Sequence, residues 1–382
     1  MTTTQEPPAE FFTGERLLRL VASAITRLAS ARQPATPVYE PTVLTAYNHL
    51  VLRCLKDGVA PPSSVPDMTA WAAELPLERW PLELPDGFAP QDEFLVDAAT
   101  GSLTQQCLEW AVSAPDPAAE LFENVLMHEA ISACRISQSP ESYTAFRALL
   151  VARPVLTGAD LIELNREINL QPVLELIQRV YEPVTATYLR DGQAATCARC
   201  GCLLVSISRD GYRCELDRCH RAGAGTVGKV LSAASDGGLR QLSRPLRMFI
   251  TGPGLAEGDL DTELQKRGLK AEMWPNFDAY DLRIALPSGK VWAVDVKDRS
   301  NPVLLGRGAK QLRPDPPYHR AFLVVPQYRF DEQESYGRVF KRNLAPDLAT
   351  RLELLTDTEF LLRVDRELSS IPAGSGAGAS DA

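Results

Sequence analysis

The chain has 382 residues, 45 % hydrophobic and 23 % charged, with a net charge of −9 at pH 7 and a pI of about 5.2. That apolar content suffices for more than one packed domain, and the acidic balance excludes a protein that coats nucleic acid indiscriminately. No apolar run long enough to span a bilayer, no secretory leader and no internal repeat is visible, so a cytoplasmic protein that makes no membrane contact and has no structural disulfides is expected.

Taken in order, 11–30 reads as an amphipathic helix carrying Leu17, Leu20, Ile25 and Leu28, and 43–55 as a second. A proline-rich stretch, 61–90, interrupts the pattern, with Trp71 and Trp80 as anchors. Helical periodicity resumes over 103–112, 118–134, 142–151, 158–168 and 172–189. Cys54, Cys107 and Cys134 fall in apolar helical surroundings and read as core residues, while His49 and His128 have no ligand partners nearby. Residues 1–190 thus form a helical domain. Its 1–189 portion holds 12 Lys+Arg against 24 Asp+Glu, a surface suited to a protein partner rather than to nucleic acid.

Residues 191–250 change character. Five of the eight cysteines lie here: Cys197, Cys200, Cys202, Cys214 and Cys219, followed by His220. Two strand-like runs, 203–208 and 211–213, flank a turn at Arg209-Asp210. Cys-x2-Cys, thirteen residues, then Cys-x4-Cys fits a zinc ribbon, two knuckles presenting thiolates to one tetrahedral Zn²⁺. Cys197, Cys200, Cys214 and Cys219 are the expected ligands, with Cys202 and His220 able to substitute. A filled four-ligand site leaves no open position for water, so the zinc is expected to be structural. The zone 190–256 holds 10 Lys+Arg against 5 Asp+Glu. Arg199, Arg209, Arg213, Arg218, Arg221, Lys229, Arg240, Arg244 and Arg247 could contact DNA phosphates without reading bases.

Residues 251–368 carry the chemistry. A short helix is expected from Asp259, as its cap, through Leu260 and Leu264 to Gly268, followed by a strand at 270–274. Tyr280, Leu282, Ile284 and Leu286 alternate with Asp281 and Arg283; Trp292, Val294 and Val296 alternate with Asp295 and Lys297. Two half-buried strands follow from this period of two. Pro287-Ser288-Gly289 suits a three-residue hairpin loop, closing on Leu286 and Lys290. That register sets Asp281 opposite Asp295, with Cβ atoms about 5 Å apart and Lys297 on the same face. A two-residue loop would put them on opposite faces. A segment with Gln311, a strand at 321–325 and a helix at 332–342 complete an α/β arrangement. The triplet Asp-x-Lys alone occurs by chance about once in a chain of this length; the alternation, the turn and the upstream carboxylate give it meaning.

Asp281, thirteen intervening residues, Asp295-Val296-Lys297 and a helical Glu263 resemble the PD-(D/E)XK restriction-endonuclease-like nuclease superfamily. The residue before Asp281 is Tyr280 rather than proline, a departure from the literal motif. The resemblance implies Mg²⁺- or Mn²⁺-dependent hydrolysis of DNA by a restriction-endonuclease-like domain. Asp281 and Asp295 would bind metal, Glu263 would be the third carboxylate (Glu257 a poorer substitute), and Lys297 would orient water or stabilise the transition state. A homodimer would pair two such sites for double-strand cutting. Helical region, zinc ribbon and nuclease-like domain, in that order, also resemble the restriction-endonuclease component of prokaryotic PIWI-like (PIWI-RE) defence islands. That narrower resemblance implies defence against plasmids or phage, with a PIWI-like protein and a helicase as partners. The competing reading is an adaptor that binds DNA or protein through its zinc ribbon, with a non-catalytic nuclease-like domain. Residues 369–382 form a Gly/Ala/Ser-rich tail expected to be disordered.

Overall fold

The computed structural model describes residues 14–30, 38–90, 92–113, 123–207, 211–221, 223, 225–234 and 237–370. The expectations for 11–13, 118–122, the Arg209-Asp210 turn and the tail beyond 370 lie outside them. The chain divides into two compact units: Met1–Leu255 with Arg299–Ala309 and Gln333–Leu344, and Ala256–Asp298 with Lys310–Glu332 and Ala345–Ala382.

In the first unit the helix Gly14–Ser30 packs against Pro41–Lys56 and Gln105–Val112. Its buried stripe is Leu17, Leu18, Val21, Ala22 and Ile25, whereas Leu20 and Leu28 sit at the margin of the core. The proline-rich stretch is not wholly irregular. Helix Val65–Glu74 begins inside it, because Ser64 Oγ accepts from the Asp67 amide and Pro66 occupies the first turn, where no backbone donor is needed. Trp80 and Trp71 meet edge to face at 5.7 Å, as their anchoring role requires.

Helices Glu123–Ile136, Pro140–Ala152, Gly158–Leu164 and Leu174–Val180 follow. The helix expected over 172–189 stops at Val180. Tyr181–Pro183 instead becomes an edge strand beside Leu239–Leu242, whose other neighbour is Val155–Thr157. Pro183 and the β-branched Val184 and Thr185 disfavour helical continuation.

Within the stretch expected as the C-terminal domain, two helices group by contact with the first unit. Helices Pro302–Gly308 and Tyr336–Asn343 belong to the first unit, and Val303 and Val339 join its apolar core. A buried carboxylate secures the first of them. Glu109 accepts from the main-chain amides of Ser300 and Asn301 and from Gln105 Nε2, each at 2.9 Å. Asn301 then caps the helix by accepting from Val303 and Leu304.

The second unit is built on a five-stranded sheet in chain order: β1 (Ala271–Met273), β2 (Leu282–Ala285), β3 (Val291–Val296), β4 (Arg320–Val325) and β5 (Leu352–Thr356). Pairings β1–β2 and β2–β3 are antiparallel; β3–β4 and β4–β5 are parallel. One face carries Leu282, Ile284, Trp292, Val294, Val296, Phe322 and Val324. These join Leu260 and Leu264 from helix Gly252–Lys266 and Phe360 and Val364 from helix Asp357–Ser369. Trp292, Phe322 and Phe360 form an aromatic triangle with centroids 5.0–6.0 Å apart. The helix expected to start at Asp259 starts seven residues earlier, at Gly252, with Pro253 in its first turn. Gly268 ends it as expected, at φ +75°.

Glu109→Ala removes the acceptor of three buried donors. Denaturant unfolding should show a loss of about 2–5 kcal/mol.

Candidate functional site

The hairpin forms in the expected register. Leu282 pairs with Val294 and Ile284 with Trp292. Leu286 N–H bonds to Lys290 O, and Gly289 takes φ +79° in the three-residue loop. Asp281, just ahead of β2, therefore stands opposite Asp295 near the end of β3. The Asp281 carboxylate accepts from the Val296 amide at 2.6 Å, which fixes its rotamer. Lys297 N–H bonds to Val324 O in the neighbouring parallel strand. Its ammonium lies 2.7 Å from Asp295 Oδ1 and 3.5 Å from Asp281 Oδ2.

The electrostatics follow from burial. Removal from water pushes the Asp295 carboxyl up to about 7 against the pull of Lys297, and the like charge of Asp281 adds to the rise. Burial alone would lower Lys297. The charges of Asp281, Asp295 and Glu257 outweigh it and hold the ammonium above its ordinary value.

Glu263 is not brought to this group. It sits exposed on its helix, bonded to Lys266 at 2.6 Å and Arg267 at 3.0 Å. The buried carboxylate of the same helix is Glu257, six residues earlier and fully enclosed. Its Oε2 accepts from Trp274 Nε1. Two further residues escape sequence reasoning. Asp298 accepts from Arg329 Nε at 2.7 Å in a buried pairing and from the half-buried Tyr328 hydroxyl, and the two anchor the chain just beyond Lys297. A charged residue directly following the Asp-Val-Lys element was the available signal, but nothing in the sequence marked Arg329 as its partner.

In the first unit the sulfurs of Cys197, Cys200, Cys214 and Cys219 all lie within 4.8 Å of one another, and all four residues are buried. Thiolates around a tetrahedral metal with about 2.3 Å bonds stand about 3.8 Å apart, so the donor set fits a metal ion. The Cys197 thiol is held far below its ordinary value because Cys200, Cys214 and Cys219 hydrogen-bond to its thiolate. Gly201, at φ +73°, lets the first knuckle turn back so that its N–H reaches Cys197 O. Cys202 is buried outside the quartet, and its carbonyl accepts from the Cys197 amide. His220 points outward, its Nδ1 3.5 Å from the Arg213 guanidinium. Among the described residues no other cluster of this kind occurs.

Several arginines of the basic zone are drawn into contacts within the unit, whereas Arg199, Arg221 and Lys229 stay exposed. Glu215, next to Cys214, accepts from Ser102 Oγ at 2.8 Å, Tyr188 OH at 2.7 Å, Arg247 at 2.6 Å, and Arg244. Arg213 pairs with Asp97 at 2.7 Å, Arg199 donates to Cys219 O and Arg240 to Tyr181 O. Most of the arginines expected to meet phosphate are thus engaged in holding the unit together. Arg209 lies outside the described residues.

Residues 17–157 match a family model described as pPIWI_RE three-gene island domain Y, and residues 254–371 match one described as REase associating with pPIWI_RE. The chain is a component of a pPIWI-RE island. It carries a restriction-endonuclease-like domain, and Glu257, Asp281, Asp295 and Lys297 all fall within that match. The cysteine quartet of this pPIWI-RE component lies between the two matched regions. Neither the curated proteins nor the solved structures include a match to the chain. No helix among the described residues is long and apolar enough to cross a membrane.

Elemental analysis of gently purified protein should find about one tightly held metal ion per chain. Cys200→Ser should lose it and unfold at markedly lower temperature. A second outcome follows from Asp295. An acid whose folded pKa exceeds its unfolded value costs stability as pH rises from about 4 to about 7, and the cost is complete above that. Asp295→Asn should therefore raise the melting temperature near pH 8, and the gain should shrink as pH falls and vanish only at about pH 4 or below.

Proposed function

We propose that this pPIWI-RE component is an endonuclease that hydrolyses DNA phosphodiester bonds with Mg²⁺ or Mn²⁺, on a restriction-endonuclease-like PD-(D/E)XK fold. The observation that carries the reading is the register-fixed set, two opposed carboxylates with one ammonium between them. Hard oxygen donors of this kind suit Mg²⁺, which takes one or two carboxylates together with substrate phosphate. Asp281 and Asp295 would hold it, with Glu257 rather than Glu263 as the third carboxylate. When bound, the ion polarises the phosphoryl oxygen and makes a water more acidic.

The residues of the chain divide the remaining work. Lys297, held above its ordinary pKa, is a cation at neutral pH and cannot take a proton from water. It acts by donating to, and balancing, the negative charge that develops on the phosphate. Asp281 is kept in orientation by the Val296 amide, so no rotamer search is needed when substrate arrives. The Asp298–Arg329 pair fixes the backbone one residue beyond Lys297.

The cysteine quartet would hold a structural Zn²⁺ in a ribbon, closing the first unit around Cys214 and Glu215. The island family supports a defence role with a PIWI-like protein and a helicase as partners. The adaptor reading loses some support, because Arg213, Arg244 and Arg247 spend their charge on Asp97 and Glu215 within the unit.

Lys297→Ala should slow cleavage of plasmid and linear DNA at least about 100-fold in Mg²⁺ or Mn²⁺, with melting temperature and bound zinc little changed. Undiminished cutting by this variant would remove the assignment to these residues.

A further inference from the structure

Trp274 touches two of the carboxylate-bearing residues at once. Its indole Nε1 donates to Glu257 Oε2 at 2.5 Å, and its main-chain N–H donates to the Asp281 carbonyl at 2.8 Å. Glu257, Asp281 and Trp274 are all buried. Glu257 comes from helix Gly252–Lys266 and Asp281 from the entry to β2, so one residue ties together groups that the fold supplies from separate elements.

The backbone adopts an unfavourable shape to do this. Trp274 sits at φ +50°, ψ +50°, and Asn276, Phe277 and Asp278 follow at φ +46°, +56° and +62°. The left-handed region costs an L residue about 1–2 kcal/mol, and for a bulky side chain it is a genuine outlier. Such a run persists only where surroundings enforce it. Here they do: Arg313 donates to Phe277 O at 2.7 Å, and Asn276 Nδ2 donates to the Asp315 carboxylate at 2.8 Å. Core packing alone gives no reason to hold a tryptophan in this conformation. A donor aimed at a buried carboxylate does.

We propose that Trp274 is a positioning residue for the divalent-metal site, orienting Glu257 through its indole N–H and Asp281 through its main-chain N–H. The inference rests on the reading of Glu257, Asp281 and Asp295 as metal-binding carboxylates. Trp274 touches no reacting atom. It acts by presetting the Glu257 carboxylate and pinning the backbone from which the Asp281 side chain projects, so that binding a cation costs little rearrangement. Partners that orient metal-binding groups in this way typically change affinity about 10–100-fold.

The test uses the full chain with Mn²⁺ as probe. Trp274→Phe keeps an aromatic ring and removes the N–H. Calorimetry should show Mn²⁺ binding weakened about 10–100-fold. The Mn²⁺ concentration for half-maximal cleavage should rise by the same factor, with the rate at saturating Mn²⁺ largely kept. In a Glu257→Gln background the same change should weaken binding less than about twofold, because the two residues act as a unit. If Trp274→Phe fails to fold, replacing the indole by benzothiophene at this one position removes the N–H at nearly constant shape, and the same readouts apply. A lowered melting temperature with unmoved Mn²⁺ affinity overturns the proposal. Wild-type protein that binds no Mn²⁺ overturns the metal reading and this proposal together. Binding that Asp281→Asn abolishes but Trp274→Phe leaves intact overturns this proposal alone.

Discussion

The pairing register of β2 with β3 is the constraint on which the candidate site depends. Side chains alternate across a sheet, so a slip of one residue would send Asp295 and Lys297 into the face now occupied by Trp292 and Phe322. Three features prevent it. The loop 287–289 closes on Leu286 and Lys290, with glycine where the backbone turns left-handed. The apolar residues of both strands share one core. The Asp281 carboxylate itself bonds to the Val296 amide, so a side chain of the candidate site helps enforce the register that assembles that site.

Much of this was legible in the chain because it rests on short-range rules. Alternation and a three-residue turn specify a hairpin, and Cys-x2-Cys with Cys-x4-Cys specifies two knuckles. What the sequence concealed depends on long-range company. Asp259 has the chemistry of a helix cap, yet the helix enters from Gly252, which brings Glu257 rather than Glu263 into the buried interior. The spacing of Glu263 from Lys266 and Arg267 was itself a warning, since i+3 and i+4 cations draw a helical glutamate along the surface. No sequence signal announces a left-handed tryptophan. Counting arginines likewise said nothing of where they point, because one glutamate beside Cys214 collects two of them.

Burying charge is expensive, and both sites share the burden in similar ways. Glu215 is acceptable inside because four donors surround it, which leaves little unmet demand on either oxygen. Asp295 is less well served. It holds one ammonium and faces another carboxylate, and its raised pKa records the unmet part of that demand. A saturated carboxylate locks structure in place, while an under-satisfied one keeps affinity in reserve for something yet to bind.

The interleaving of the two units has its own consequence. The polypeptide passes from one to the other five times, and Arg299–Ala309 returns to the first unit immediately after Asp298. The second unit cannot be excised as a continuous stretch of gene without carrying off 299–309 and 333–344, which belong to the first. A nuclease-like half of this kind cannot be exchanged among proteins like a bead on a string. Substitutions in 299–309 or 333–344 answer to the first unit's packing although they lie within the nuclease-family match, so the two halves are bound to change in step.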